Sequence, residues 1–366
     1  MKKEFEAYLK KRLEDFEIIK DERLLEEEFI EETNRLVKGL LDMYEATEDE
    51  CFLNYAQPHI ADILSYDVSR AAGMVKNILT MNANVNIIDE LSIKKIHEVR
   101  EFYKNHERNQ YGIFKRDIEF ELDEKEVVTP ELKAHMEGLK QFSFSDLSRA
   151  FVFLAAYENK FNGHFGYEDI HKQLLALRQV NYCKRLNIYT SSQTGVSLDE
   201  NHEIINATIG TQALMISTLV DTSEQIHEAI FEYYKGVRDL AKEAIVNYFE
   251  LKANADQLVS DKVMHQIEKN VLFEMPMISM QALLAYGVVK AALLNIVSEK
   301  YALVGFEILK GVVTGYLNKE KNGTVERLEK HHFKASLGII MSAYAIVLQA
   351  EKKGLLSIKE DVCYGI

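Results

Sequence analysis

Apolar side chains recur every three or four positions from the start of the chain. Phe5, Leu9, Leu13 and Phe16 share one face, and after the polar break Asp21-Glu22-Arg23 the stripe resumes at Leu25, Phe29, Leu36, Leu40 and Tyr44. That period belongs to an amphipathic helix, so the first fifty residues predict a helical hairpin with one apolar face. From Pro58 to His106 the same spacing predicts two or three further helices, with Asn82, Asn84 and Asn86 marking a turn between them.

Between Tyr111 and Val128 the pattern changes. Ile118, Phe120 and Leu122 alternate with charged residues, as in one exposed strand or an extended linker. Thr129-Pro130-Glu131 then combines an N-cap, a proline at the first helical position and an acid in the first turn. A helix is expected from Ser145 through Ala155. The glycine-flanked run Asn162-Gly163-His164-Phe165-Gly166 is expected to turn the chain into another helix, from Tyr167 to about Leu186.

Residues 189–197 are the most loop-like stretch. Ser197-Leu198-Asp199-Glu200 and Asp221-Thr222-Ser223-Glu224 both match a capping box, predicting helix starts before Ile204–Val220 and before the amphipathic run that ends near Ala253. Further helices are expected near Ser260–Phe273, from Met277 to Ser298, from Tyr301 to Tyr316 and from Thr324 to about Lys353, with Gly354 as a C-cap.

Three helical stretches, 204–220, 275–289 and 335–350, carry almost no charge on any face. Helices of that kind need other helices around them, so residues 200–354 predict a bundle core. Gly210, Ala282, Ala285, Gly287, Ala291, Ala292, Gly338, Ser342 and Ala343 allow close helix approach. The fold class is therefore all-α: an acidic N-terminal helical hairpin and bundle over 1–110, a linker or short strand over 111–128, and a larger apolar-cored helical array over 129–366.

Composition removes several functions. The 366 residues carry a formal net charge of −14, and residues 1–50 alone hold 17 acidic and 9 basic side chains, a net of −8. Negative charge opposes the counterion release that drives nucleic-acid binding, and no run of five Lys/Arg compensates, so no nucleic-acid partner is expected. The longest uncharged stretch, Ile204–Val220, is short and contains Asn206, Thr208, Gln212, Ser217 and Thr218, which argues against stable membrane insertion. Cys51, Cys183 and Cys363 are odd in number and lack metal-finger spacing, and no apolar leader follows the first lysines; a cytoplasmic location is expected.

The candidate chemistry is sparse. Three Glu-x-x-His pairs occur: Glu168/His171, Glu224/His227 and Glu329/His332. A pair at i, i+3 points both side chains to one helix face, and two such pairs in a bundle can hold a di-iron or di-manganese centre. His164 would join Glu168 and His171 if the helix extended back through Gly166. Cys183 beside Lys184 and Arg185 has cationic neighbours that could lower a thiol pKa, but a lone helical cysteine is usually a small packed side chain.

The spacings Arg100-x5-His106 and Arg327-x4-His332 are similar to the short active-site motif of HEPN ribonucleases, helical bundles that act on RNA phosphate. The residues after the arginines, Glu101 and Leu328, depart from that family's pattern. No phosphate-binding glycine loop, dinucleotide fingerprint, nucleophile elbow or H-E-x-x-H motif is present. From architecture and missing motifs the leading expectation is a non-enzymatic regulatory protein, without cofactor, that binds a protein or peptide partner in a groove between helices. The alternatives are an iron- or manganese-dependent enzyme using the Glu-x-x-His pairs, and a carrier of an apolar ligand within 200–354.

Overall fold

Side-chain caps set several helix starts. The Ser143 hydroxyl accepts the amides of Ser145 and Asp146 at 3.2 and 3.4 Å, Asp49 accepts that of Cys51 at 3.0 Å, and Asp67 accepts that of Arg70 at 3.1 Å. Each satisfies a donor that the first helical turn leaves unpaired. The structure, a computed structural model, describes residues 2–16, 26–81, 90–116, 142–184, 186–190, 209–253, 277–321 and 333–357.

Among these residues the fold is all-α, as the periodicity predicts. The helices are α1 (Lys2–Phe16), α2 (Glu26–Thr47), α3 (Glu50–Leu64), α4 (Val68–Leu79), α5 (Glu90–Asn105), α6 (Phe144–Tyr157), α7 (Tyr167–Asn181), α8 (Ile209–Gln225), α9 (Phe231–Ala253), α10 (Met277–Leu293), α11 (Lys300–Lys321) and α12 (Phe333–Lys352). A π-turn over Glu158–Asn162 follows α6, and a two-residue antiparallel hairpin, β1 (Tyr182–Cys183) with β2 (Ile188–Tyr189), follows α7. The expected strand at Ile118–Leu122, the helix starts at Thr129 and Ser197, and the helix near Ser260–Phe273 lie outside the described residues.

The chain divides into two compact units, residues 1–92 with 271–366, and residues 93–270. In the first, α2 lies along α12, α12 also meets α10, α10 meets α11, and α3 and α4 pack on α2. Every residue from Ala335 to Leu348 is buried, which explains the uncharged sequence of α12. Gly39 and Gly338 let α2 and α12 touch backbone to backbone; a Cβ on either would overlap main-chain atoms of the other helix. At the end of α12, Gly354 has φ 76°, and the amides of Gly354 and Leu355 close onto Glu351 and Ala350. That is the glycine C-cap expected from the sequence.

In the second unit α6 and α9 both pack on α8, and α7 packs on α9. Gln212 of α8 holds β2 by both ends of its amide, accepting the Tyr189 amide at 3.1 Å and donating to the Tyr189 carbonyl at 2.6 Å. Of the three uncharged helices, α8 falls in this unit and α10 and α12 in the other.

Two expected boundaries are corrected. Asp221-Thr222-Ser223-Glu224 does not start a helix; α8 runs through it to Gln225 and α9 begins only at Phe231. Thr222 and Ser223 are fully buried and the Ser223 hydroxyl bonds back to the Val220 carbonyl at 2.8 Å, so it serves its own helix instead of capping the next. The helix from Tyr167 ends at Asn181, short of Leu186, where the chain enters the β1–β2 hairpin.

Candidate functional site

Two polar clusters stand out in residues 93–270. The first sits at the N-terminus of α6. Capping by Ser143 places Asp146 in the first helical turn, where the helix dipole favours negative charge. Arg149, one turn on, forms an ion pair with Asp146, and the Nε of Arg116 approaches the other carboxylate oxygen at 3.8 Å. All three side chains remain partly open to water, at 29% for Asp146, 24% for Arg149 and 37% for Arg116. A water-accessible carboxylate can pass a proton to and from a ligand, and guanidinium groups pair with carboxylates in a planar, two-pronged geometry.

The second cluster surrounds the turn after α6. Glu158 is sealed, with 1% side-chain exposure, yet it is fully partnered: Arg100 approaches Oε1 at 3.1 Å through Nη2 and 3.2 Å through Nε, and the Gly166 amide donates to Oε2 at 2.9 Å. The Glu158 carbonyl accepts the amides of Gly163 and His164. These bonds hold Gly163 at φ 67° and His164 at φ 77°. A histidine in that left-handed region is uncommon, and it persists because its surroundings over-determine it.

The Tyr167 phenol organises the other side of the turn. It donates to the Gln225 carbonyl at 3.2 Å, accepts the His227 amide at 3.3 Å and lies 3.1 Å from His164 Nδ1. Burial pushes its pKa up to about 12, so the hydroxyl stays protonated. With that single proton given to Gln225, the phenol oxygen is left to accept from His164 Nδ1. At His227, Nδ1 accepts the Ala229 amide at 3.1 Å, so Nε2 carries the proton. The two rings stand 5.0 Å apart.

The residues singled out from sequence are distributed as follows. His164 is not on the helix with Glu168 and His171, because α7 starts at Tyr167 and His164 is in the turn. Glu168 is exposed and pairs with Lys172 at 2.5 Å. His171 packs on Tyr233 with its Nε2 against Gly236, and burial lowers its pKa despite the nearby charge of Glu232. Glu224 lies on the last turn of α8, 3.5 Å from the Gln225 side chain, and the His227 ring is tilted by 38° against that of His164. Glu329 and His332 lie outside the described residues. Among those described, no three His, Cys, Asp or Glu side chains are placed to share a metal ion.

Arg100 and His106 do not meet as a ribonuclease pair would. Arg100 is committed to Glu158, and His106 Nε2 bonds to the Lys115 carbonyl at 2.8 Å. Cys183 lies in β1 and Lys184 in the turn after it. No described helix is long and apolar enough to cross a membrane.

No protein-family model matches this chain, and no curated protein matches it in sequence. Its fold is nevertheless that of solved enzyme structures. A glycoside hydrolase of family 105 from C. acetobutylicum ATCC 824 superposes with a TM-score of 0.62 at 13% identity, covering 87% of this chain and 93% of the other. A glycosyl hydrolase of family 88 from Bacteroides vulgatus gives 0.52 at 10% identity, covering 87% and 91%. An unsaturated glucuronyl hydrolase specific for heparin gives 0.51 at 12% identity, covering 88% and 86%.

This likeness corrects the expectation of a non-enzymatic regulatory protein with a protein or peptide partner. The proteins that share the architecture over nearly its whole length process saccharides. The earlier expectation leaned on missing motifs, and a helical scaffold can carry its reactive groups as isolated side chains that leave no linear signature. The hydrophobic pattern and the motif search do not single out the cluster of Asp146, Arg116 and Arg149. The available signal was Ser143-x-x-Asp146, a cap with an acid three residues on, followed by Arg149 one turn later.

Proposed function

We propose that this protein is a saccharide-processing enzyme acting on a uronate-bearing oligosaccharide, with Asp146 as the proton-transferring carboxylate and Arg116 as a binding group for the substrate's carboxylate. The observation that carries the reading is Asp146 itself: a half-open carboxylate at the start of a buried helix with two guanidinium groups beside it. The fold shared with an unsaturated glucuronyl hydrolase and with glycoside hydrolases of families 105 and 88 supports this choice of substrate class.

An unsaturated glucuronyl group is an enol ether, and its carbon–carbon double bond accepts a proton from a positioned acid. Water then adds to the resulting cation and returns a proton to the same carboxylate. One carboxylate suffices for this sequence, whereas direct glycoside displacement uses two. Arg149, bonded within its own helix to Asp146, fixes the carboxylate, while Arg116 is the more exposed cation. We also place the protein in the cytoplasm, supported by Cys51 and Cys183, neither of which is in a disulfide.

The test is turnover of unsaturated uronyl disaccharides, followed by loss of the ultraviolet absorbance of the double bond. The wild-type chain is expected to consume at least one of them, and Asp146→Asn to lose about 10²-fold or more in kcat while remaining folded. No turnover of any such disaccharide by the wild-type chain would overturn the reading.

A further inference from the structure

Arg116, the guanidinium assigned to the substrate's carboxylate, relies on a 3.8 Å approach to Asp146. A contact that long does not fix a side chain, so the place of Arg116 is set by the backbone that delivers it. Residues 107–115 form a tight loop closed by two main-chain bonds. The Lys115 amide donates to the Glu107 carbonyl at 2.9 Å and the Asn109 amide to the Ile113 carbonyl at 2.8 Å, with Arg108 and Phe114 facing each other as a bridge pair. Within the loop Asn109 Oδ1 accepts the amides of Tyr111 and Ile113 at 2.9 and 3.1 Å, and His106 Nε2 donates to the Lys115 carbonyl at 2.8 Å. Arg116 is the next residue along the chain.

The bridge pair is tethered to α7. Asp169 and Gln173 lie four residues apart on one face of that helix. Arg108 reaches both Asp169 oxygens, Nη1 to Oδ1 at 2.7 Å and Nη2 to Oδ2 at 2.9 Å. Gln173 accepts the buried Phe114 amide at 3.1 Å and donates to Asp169 Oδ2 at 3.1 Å. The circuit closes where the Arg108 guanidinium lies 4.8 Å over the Phe114 ring. Burial acts to raise the Asp169 pKa, but the Arg108 hydrogen bonds and charge outweigh it and hold the carboxyl below 3.8, so the pair is ionised at neutral pH. On its other side Phe114 packs against Phe151 of α6, the helix that carries Asp146.

We infer that Asp169 and Gln173 are positioning residues for Arg116: through Arg108 and the Phe114 amide they fix the 107–115 loop between α6 and α7 and so aim the guanidinium at the substrate's carboxylate. The role rests on the proposed function, which makes Arg116 a substrate-binding group; the clamp itself rests on the geometry alone. A binding group fixed before the ligand arrives loses little freedom on binding, so the clamp contributes to substrate affinity and not to proton transfer at Asp146.

The experiment is steady-state kinetics of the full chain on an unsaturated uronyl disaccharide and on the methyl ester of its unsaturated uronyl group, which lacks the charge that Arg116 would bind. Asp169→Ala and Arg108→Met are the principal variants; both side chains are well exposed, at 43% and 36%, so the fold is expected to tolerate their loss. Each is expected to raise KM for the acid about three- to tenfold, less than removal of the guanidinium itself, with kcat within about twofold of wild type. KM for the ester is expected to stay at the wild-type value. In an Arg116→Met background Asp169→Ala is expected to add nothing, because the two changes then remove one interaction. Glu168→Gln, next to Asp169 on α7 but paired with Lys172, is expected to leave both constants unchanged.

Unchanged KM for the acid in Asp169→Ala and Arg108→Met overturns the inference. So does an equal rise for acid and ester, or a rise that persists in the Arg116→Met background, since the clamp would then act on something other than this guanidinium. A fall in kcat without a change in KM overturns it as well, by placing the effect at Asp146. The two readings fail separately. Wild-type turnover with unaltered KM in the clamp variants removes only the role of Asp169 and Gln173, whereas absence of wild-type turnover removes the proposed function and this role with it.

Discussion

Arg100 and Glu158 form an ion pair across 58 residues of sequence, and the carboxylate they share with the Gly166 amide is almost wholly shielded from water. A pair in that setting stabilises little relative to an apolar replacement of the same shape, but losing one partner leaves a charge stranded. Arg100→Met should therefore destabilise the protein by about 3–5 kcal/mol. A Cβ at Gly166 would stand 2.5 Å from Glu158 Cδ, so Gly166→Ala should cost about 1–3 kcal/mol by overpacking. Urea unfolding midpoints check both. A loss below about 1 kcal/mol in Arg100→Met would mean that the pair is solvated in solution.

The backbone contact between Gly39 and Gly338 leads to a contrast between glycines. Gly338→Ala places a methyl group inside the main chain of α2 at Arg35 and Leu36, and the expected loss is about 1–3 kcal/mol or more. Gly311, within α11, has nothing within 4 Å of a would-be Cβ. Gly311→Ala should stabilise by about 0.4–1 kcal/mol through helix propensity and a more restricted unfolded chain. Thermal melts of the two variants should move in opposite directions, and equal shifts would contradict the packing described for α2 and α12.

The difference between these glycines marks what can be read from the chain and what cannot. Phe5, Leu9 and Leu13, spaced by four, are all buried, and Gly354 ends α12 as its position suggests. Both are local facts, set within a turn or two of helix. Gly338 reads as a small residue in an apolar run, but its partner Gly39 is some 300 residues away, and no period encodes that pairing. The turn after α6 is legible as a turn from Asn162-Gly163, yet the π-turn and the left-handed His164 depend on Glu158 being clamped by Arg100. The candidate site follows the same rule. Asp146 and Arg149 are neighbours on one helix and visible in principle, while Arg116 arrives from another segment, so the cluster exists only in the fold.

His171 gives a pH dependence whose sign can be worked out. Burial lowers its pKa from 6.5, against the opposing pull of the Glu232 charge. Below 6.5 the unfolded chain then takes up a proton at this residue that the folded chain resists, so folding is favoured less as pH falls. The contribution is complete above 6.5 and is lost as pH drops through the lower folded value. His171→Gln should remove this step: relative to the variant, wild type loses stability as pH falls from about 6.5. Urea midpoints for both proteins across the acid range measure the difference, and parallel curves would show that His171 titrates alike in both states.

The roles given to the two arginines beside Asp146 separate in kinetics. Arg116 is the more exposed and stands 3.8 Å from the carboxylate, so its guanidinium has reach to spare for a ligand. An interaction made equally with substrate and transition state affects KM and leaves kcat alone. Loss of one charge-assisted hydrogen-bonding group removes about 1.5–3 kcal/mol, so Arg116→Met should raise KM for a uronyl disaccharide about 10- to 100-fold with kcat nearly unchanged. Arg149, in contrast, is bonded to Asp146 within the same helix. Arg149→Met should lower kcat by displacing the carboxylate, and should add little to the loss already caused by Asp146→Asn, because residues acting as one unit are not additive. Steady-state kinetics of the three single variants and the Asp146→Asn/Arg149→Met double variant decide this. A kcat defect in Arg116→Met as large as that in Arg149→Met would mean that both arginines position Asp146 and that the substrate's carboxylate is held elsewhere.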